Sequence, residues 1–156
     1  MRQLFAAAAL AVLACGGGEG NSGTATPAAA SAAAVPTSSG GGSGAVHKVD
    51  MVLNAQGEYR FVPSALTIKV GDTVQWVNVS GGPHNVQFRA NGIPAGADAK
   101  LNAAMQNRIG PLNGALLTAP NATYEISFAG APAGTYNYTC TPHELLGMNG
   151  TLTVQN

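Results

Sequence analysis

Cysteine is nearly absent from this sequence: only Cys15 and Cys140 occur, and Cys15 falls in what reads as a processing segment. No disulfide framework is therefore expected, and Cys140 stands as a lone thiol. Charge is scarce too, at 9% of residues, with seven basic side chains against seven acidic ones. A chain so balanced has no field to steer it toward nucleic acid, which is excluded as a partner; recognition is left to shape and apolar contact. Long apolar runs are also missing. The one from Leu4 to Leu13 is about half of the roughly 20 residues that a membrane-crossing helix needs. With 156 residues, 46% of them apolar, the chain has room for one modest domain and not for a multidomain enzyme.

What is present begins with Arg2, the apolar run, and then Ala14-Cys15-Gly16, the layout of a secretory signal. Val12-Leu13-Ala14-Cys15 resembles a bacterial lipobox, so residues 1–14 are expected to be removed and Cys15 to become a lipidated N-terminus. The expected location is outside the cytoplasm, on the periplasmic or cell-surface side of the membrane that holds the lipid. Residues 15–45 then form a Gly/Ala/Ser/Thr/Pro linker with a single charge at Glu19. Such a segment is too poor in apolar mass to fold and reaches roughly 30 Å as a random coil.

From Val46 onward, short stretches rich in Val, Thr, Ile, Tyr and Phe alternate with Gly, Pro and Asn. Strands are predicted at 47–54, 65–70, 73–79, 84–89, 115–118, 122–128, 134–139 and 150–155. This is an all-β domain over 46–156, predicted as an antiparallel Greek-key β-sandwich. One short helix interrupts it in the 90–120 region, where Leu101, Ala104, Met105 and Arg108 or Ile109 recur at helical spacing before Gly110-Pro111.

The chemistry is concentrated in Cys140-Thr141-Pro142-His143-Glu144-Leu145-Leu146-Gly147-Met148, with His84 far upstream. One thiolate and two imidazoles make the trigonal N₂S set that suits copper, and a thioether adds a weak, long axial contact. Both copper oxidation states tolerate that compromise, so little geometry need change when an electron moves. All four residue types in this order and spacing outweigh the ordinary reading of a lone Cys or His as packing.

Phe61-Val-Pro-Ser-Ala-Leu-Thr-Ile-Lys-Val-Gly-Asp-Thr-Val-Gln-Trp-Val-Asn78, Pro83-His84-Asn85-Val86, Gly134-Thr-Tyr-Asn-Tyr-Thr-Cys140-Thr-Pro-His143 and Gly147-Met148 resemble the plastocyanin and pseudoazurin group of cupredoxins across 46–156. The resemblance implies a cupredoxin sandwich and one type 1 copper cycling between Cu(I) and Cu(II). His84, Cys140 and His143 would be the strong ligands and Met148 the axial one. It also implies a monomeric electron carrier rather than an enzyme, with partners such as a c-type cytochrome, a quinol-oxidising complex or a terminal oxidase. Asn85 and Thr141 match a family pair that hydrogen-bonds to pin the ligand loop. Pro142 has no N–H for the sulfur, so one backbone donor, that of Asn85, is expected there. The docking rim is expected at Pro83, Pro142, Leu145 and Leu146, around an exposed edge of His143. Thr139 stands where plant-type relatives carry an exposed tyrosine, and no acidic cluster accompanies it, so a plant-like acidic face is not expected. The 90–120 segment is a second candidate partner surface.

Other residues read more plainly. Met51 and Met105 are assigned to packing, Trp76, Tyr136 and Tyr138 to the core rather than to an electron relay, and His47 to solvent. Asn78-Val-Ser80 and Asn121-Ala-Thr123 match a glycosylation pattern by chance. A copper chaperone or storage protein is the alternative function, against which the chain has only three histidines. The same count leaves too few ligands for the second copper centre of an oxidase or nitrite reductase.

Overall fold

A computed structural model describes residues 44–156; the signal segment 1–14, Cys15 and the linker up to residue 43 lie outside the described residues. Eight strands run β1 Val46–Leu53, β2 Tyr59–Val62, β3 Ala65–Lys69, β4 Thr73–Asn78, β5 Gln87–Phe88, β6 Thr123–Ser127, β7 Gly134–Thr139 and β8 Asn149–Gln155. They make two four-stranded sheets, ordered β2-β1-β4-β6 and β3-β8-β7-β5. The β-sandwich with one short helix is thus present, but its sheets are mixed rather than wholly antiparallel. β1 lies parallel to β4 and β3 parallel to β8. The reason is the turn after β3: Val70-Gly71-Asp72 carries the chain from one sheet straight into the other, so β4 cannot hairpin onto β3.

Alternation does the packing. Val74 and Trp76 of β4, Tyr136 and Tyr138 of β7, and Leu152 and Val154 of β8 point inward and are buried. Trp76 sits edge-on to Tyr138 at 5.6 Å and to Phe88 at 6.3 Å, so the core is an aromatic cluster in its favoured T-shaped geometry. Burying a large apolar side chain of this kind contributes about 1.5–3 kcal/mol. Met51 and Met105 are buried in the same cluster, as expected of packing residues. Burial also pushes the Tyr138 phenol up to about 12, which keeps it a neutral core residue.

Three local differences follow from tertiary context. The helix, α1, spans only Ala97–Ala104. It stops before the predicted end because Met105 is already extended and Asn107 turns left-handed at φ 51°. No strand forms at 115–118, and the predicted strand 84–89 shrinks to β5; residues 84–88 instead exchange scattered bonds with 112–117, including the His84–Leu117 bridge. His47 is not free in solvent: its Nε2 pairs with Asp72 Oδ2 at 2.8 Å. Asp72 also accepts the backbone N–H groups of Ala45 and Lys69, which ties the start of the domain to the β3–β4 turn. Asn78 is buried and donates through Nδ2 to the carbonyls of Leu117 and Ala119, both at 3.0 Å. It is thus a structural clamp on the segment that bridges His84.

Candidate metal centre

His84 opens the stretch 84–88, where paired bonds with Leu117 fix its backbone: His84 N–H donates to Leu117 O at 3.1 Å, and Leu117 N–H donates to His84 O at 2.7 Å. Its ring Nε2 lies 2.9 Å from the Ser80 carbonyl oxygen. A carbonyl only accepts, so Nε2 carries the proton and Nδ1 keeps its lone pair. That lone pair faces Cys140 Sγ at 3.5 Å.

The other donors come from the end of β7. Cys140 N–H donates to Met148 O at 3.1 Å, and the Thr139 hydroxyl donates to the same carbonyl at 2.9 Å. Between them the chain makes a 3₁₀ turn, Thr141–Leu146, with Pro142 near its start, where a missing N–H costs nothing. Gly147, at φ 82°, reverses the chain so that Met148 returns beside Cys140. His143 thereby comes over the thiol, its Nδ1 3.4 Å from Sγ. Cys140, His84 and Met148 have no exposure to solvent.

The electrostatics follow from this burial. Loss of hydration holds both imidazoles below their ordinary range, against the Ser80 bond in His84 and reinforced in His143 by the neighbouring His84. Burial pushes the Cys140 thiol up, opposed by the backbone N–H groups of Asn85 and His143. The 3₁₀ turn also bonds the His143 N–H to the Cys140 carbonyl at 3.0 Å. Neutral imidazoles are the form that ligates a metal. The donor set also fits copper in spacing: a planar trigonal ion with bonds of about 2.0 Å to nitrogen and 2.3 Å to sulfur separates S from N by about 3.7 Å, close to the separations here.

Asn85 and Thr141 pair as expected, and twice: Thr141 N–H donates to Asn85 Oδ1 at 2.8 Å and Asn85 Nδ2 to Thr141 Oγ1 at 3.2 Å. Two partners escaped the sequence reading. Thr141 Oγ1 donates onward to Gln87 Oε1 at 2.9 Å, and Asn85 Nδ2 donates to Asn113 Oδ1 at 2.7 Å. Tyr59 escaped as well. Its ring stacks on His143 with centroids 3.7 Å apart and planes 10° from parallel. Tyr59 lies on the four-residue β2, whose Tyr59-Arg60-Phe61-Val62 alternation was the available signal.

The rim residues Pro83, Pro142, Leu145 and Leu146 are all exposed, Leu145 fully and Leu146 by 62%. With Tyr59 stacked on its face, His143 is 7% exposed in all. Glu144, in the same loop, pairs with Arg89 at 2.9 Å.

The sequence profile described as copper binding proteins, plastocyanin/azurin family, matches residues 48–155. Plastocyanin of Scenedesmus fuscus is 43% identical over 99 residues, covering 64% of this chain and 90% of that one. Plastocyanin of Synechococcus is 47% identical over 92 residues, covering 59% of this chain and 61% of its relative. Among solved structures, oxidised plastocyanin from Dryopteris crassirhizoma superposes with a TM-score of 0.54 at 30% identity, over 69% of this chain and 99% of that one. A Sinorhizobium pseudoazurin gives 0.53 at 26% identity, over 71% and 74%. The chain belongs to the copper-binding plastocyanin/azurin family.

Proposed function

We propose that this member of the copper-binding plastocyanin/azurin family is a single-electron carrier whose one copper is held by His84, Cys140 and His143, with Met148 as axial ligand. The observation that carries the reading is the convergence of one sulfur and two Nδ1 lone pairs, 3.4 and 3.5 Å apart, in a pocket closed to water. Copper supplies a one-electron Cu(I)/Cu(II) couple when bound. The protein's part is to hold the donors in place in both states and to keep water out. Ser80 fixes the His84 tautomer, Tyr59 packs His143, and Asn85 with Thr141 pins the loop.

Electrons pass near His143, with the partner seated on Pro83, Pro142, Leu145 and Leu146. The domain from 46 onward has six basic and six acidic residues, so long-range steering is weak and apolar contact dominates. Redox proteins such as a c-type cytochrome, a quinol-oxidising complex or a terminal oxidase fit this rim. Lipid on Cys15 and the linker to residue 45 tether the domain 46–156 to a membrane outside the cytoplasm, in keeping with the N-terminal signal pattern.

The test is spectroscopic. Copper-loaded protein is expected to be intensely blue when oxidised and to bleach reversibly on reduction. Cys140→Ala abolishes the colour, and Met148→Leu keeps it with a shifted potential. A colourless loaded protein overturns the reading, and quantitative loss of Cu(I) to an acceptor protein would favour a chaperone. For the tether, mass analysis of the mature chain finds lipid on Cys15, and Cys15→Ala releases it from membranes with the spectrum unchanged.

A further inference from the structure

We infer that Asn113, in the 90–120 segment, is a positioning residue for the metal-ligand loop, acting through the Asn85 side chain. This rests on the reading of the cluster as a copper centre only for its effect on potential, not for its effect on the loop. Thr141 N–H can only donate, so Asn85 must turn Oδ1 toward it, as it does at 2.8 Å. That leaves Asn85 Nδ2 with two hydrogens to place in a spot where the residue is buried from solvent. One goes to Thr141 Oγ1 at the longer distance of 3.2 Å; the other goes to Asn113 Oδ1 at 2.7 Å. Thr141 Oγ1 in turn spends its own hydrogen on Gln87 Oε1. The chain of donors therefore has one direction, and Asn113 is the acceptor that takes the remaining hydrogen.

Asn113 is itself held firmly. Its N–H donates to Gly110 O at 3.2 Å and its carbonyl accepts Ile109 N–H at 2.9 Å, while Gly114 N–H donates to Val86 O at 2.9 Å. The loop beyond α1 is thus bonded to the backbone on both sides of Asn85, and its Oδ1 reaches the side chain from a fixed base. Without that oxygen a buried amide hydrogen is left unpaired, and Asn85 must either move or admit water. Either response loosens the bond that holds Thr141, next to Cys140. A ligand loop held less firmly changes how the sulfur is presented to a bound copper, and so shifts its potential.

The experiment compares the full chain with Asn113→Leu, which removes the acceptor, and Asn113→Asp, which keeps one. Amide hydrogen exchange is read at Thr141, with Leu152 in β8 as a remote reference, in metal-free protein and again after Cu(I) loading. Asn113→Leu is expected to speed Thr141 exchange about tenfold while Leu152 stays within experimental error, and Asn113→Asp restores protection. In copper-loaded protein the potential shifts in Asn113→Leu. The inference is overturned if Thr141 protection is unchanged in Asn113→Leu, if Thr141 and Leu152 move together, or if Asn113→Asp behaves as Asn113→Leu does. Should Asn113→Leu fail to fold, Asn113→Ala replaces it in the same comparison. Failure to bind copper would strike the proposed function alone, because the metal-free exchange is read either way.

Discussion

Replacing Tyr59 with Leu keeps an apolar side chain on β2 but removes the ring that lies flat on His143. At 3.7 Å between centroids and 10° between planes the two rings are in full face contact. Aromatic pairs contribute about 0.5–1.5 kcal/mol beyond their area burial, and leucine retains most of the apolar area. The expected loss in metal-free protein is therefore about 1 kcal/mol, which for a domain of this size lowers Tm by about 4 °C. A double-mutant cycle isolates the contact: Tyr59→Leu, His143→Ala and the pair, each measured by urea unfolding. Coupling of about 0.5–1.5 kcal/mol is expected, and Tyr59→Phe, which preserves the stack, leaves it intact. Coupling below about 0.3 kcal/mol, the scatter of independent sites, would refute the claim that Tyr59 packs His143.

Three further outcomes are expected. Burial alone would raise the Asp72 carboxyl, but the bonds from Lys69, His47 and Ala45 outweigh it and hold the group below its ordinary range. A depressed carboxyl stabilises the fold above its unfolded pKa of about 3.9 and ceases to as pH falls through the folded value. Asp72→Asn should thus be less stable than wild type at pH 7, with the gap closing under acid; a gap independent of pH would contradict this. Gly150→Ala drives a Cβ into the Tyr138 ring, and overpacking of this kind costs about 1–3 kcal/mol, read as a lower urea midpoint. Leu146→Glu should slow electron transfer to a native redox partner without altering the copper spectrum, since the charge must be desolvated at the contact; an unaffected rate with steep salt dependence would place docking elsewhere.

The donor residues were legible because their chemistry uses scarce residue types. Only three histidines and two cysteines occur in the whole chain, so the run from Cys140 to Met148 could be read without knowing how it folds. Core strands were legible for a different reason: Val74-Trp76 and Tyr136-Tyr138 alternate, and alternation is a local property. What escaped depends on distant segments meeting. Tyr59 lies on a strand of four residues, whose alternation marks a strand but not that the Tyr59 ring meets His143 on a loop from the far end of the chain. Asn113 and Gln87 are common polar residues whose role arises only when 84–88 is set between β7 and the 112–117 segment. The parallel pairs likewise follow from where the chain crosses between sheets, which strand pattern alone does not encode.

These long-range contacts bear on what a redox site requires. His84 is held by Ser80 and Leu117, His143 by the Tyr59 ring, and Cys140 by Met148 and by the Asn85–Thr141 pair. Every one of these is a contact of protein with protein. Donors held in this way cannot follow the preferences of either oxidation state far, so moving an electron demands little rearrangement. The same contacts explain why Leu145 and Leu146 can be given up to solvent: the loop that carries them is anchored from beneath at Thr141 and Cys140. Its outer face is therefore free to be apolar and exposed without loosening the residues beneath it, which is what the proposed docking rim requires.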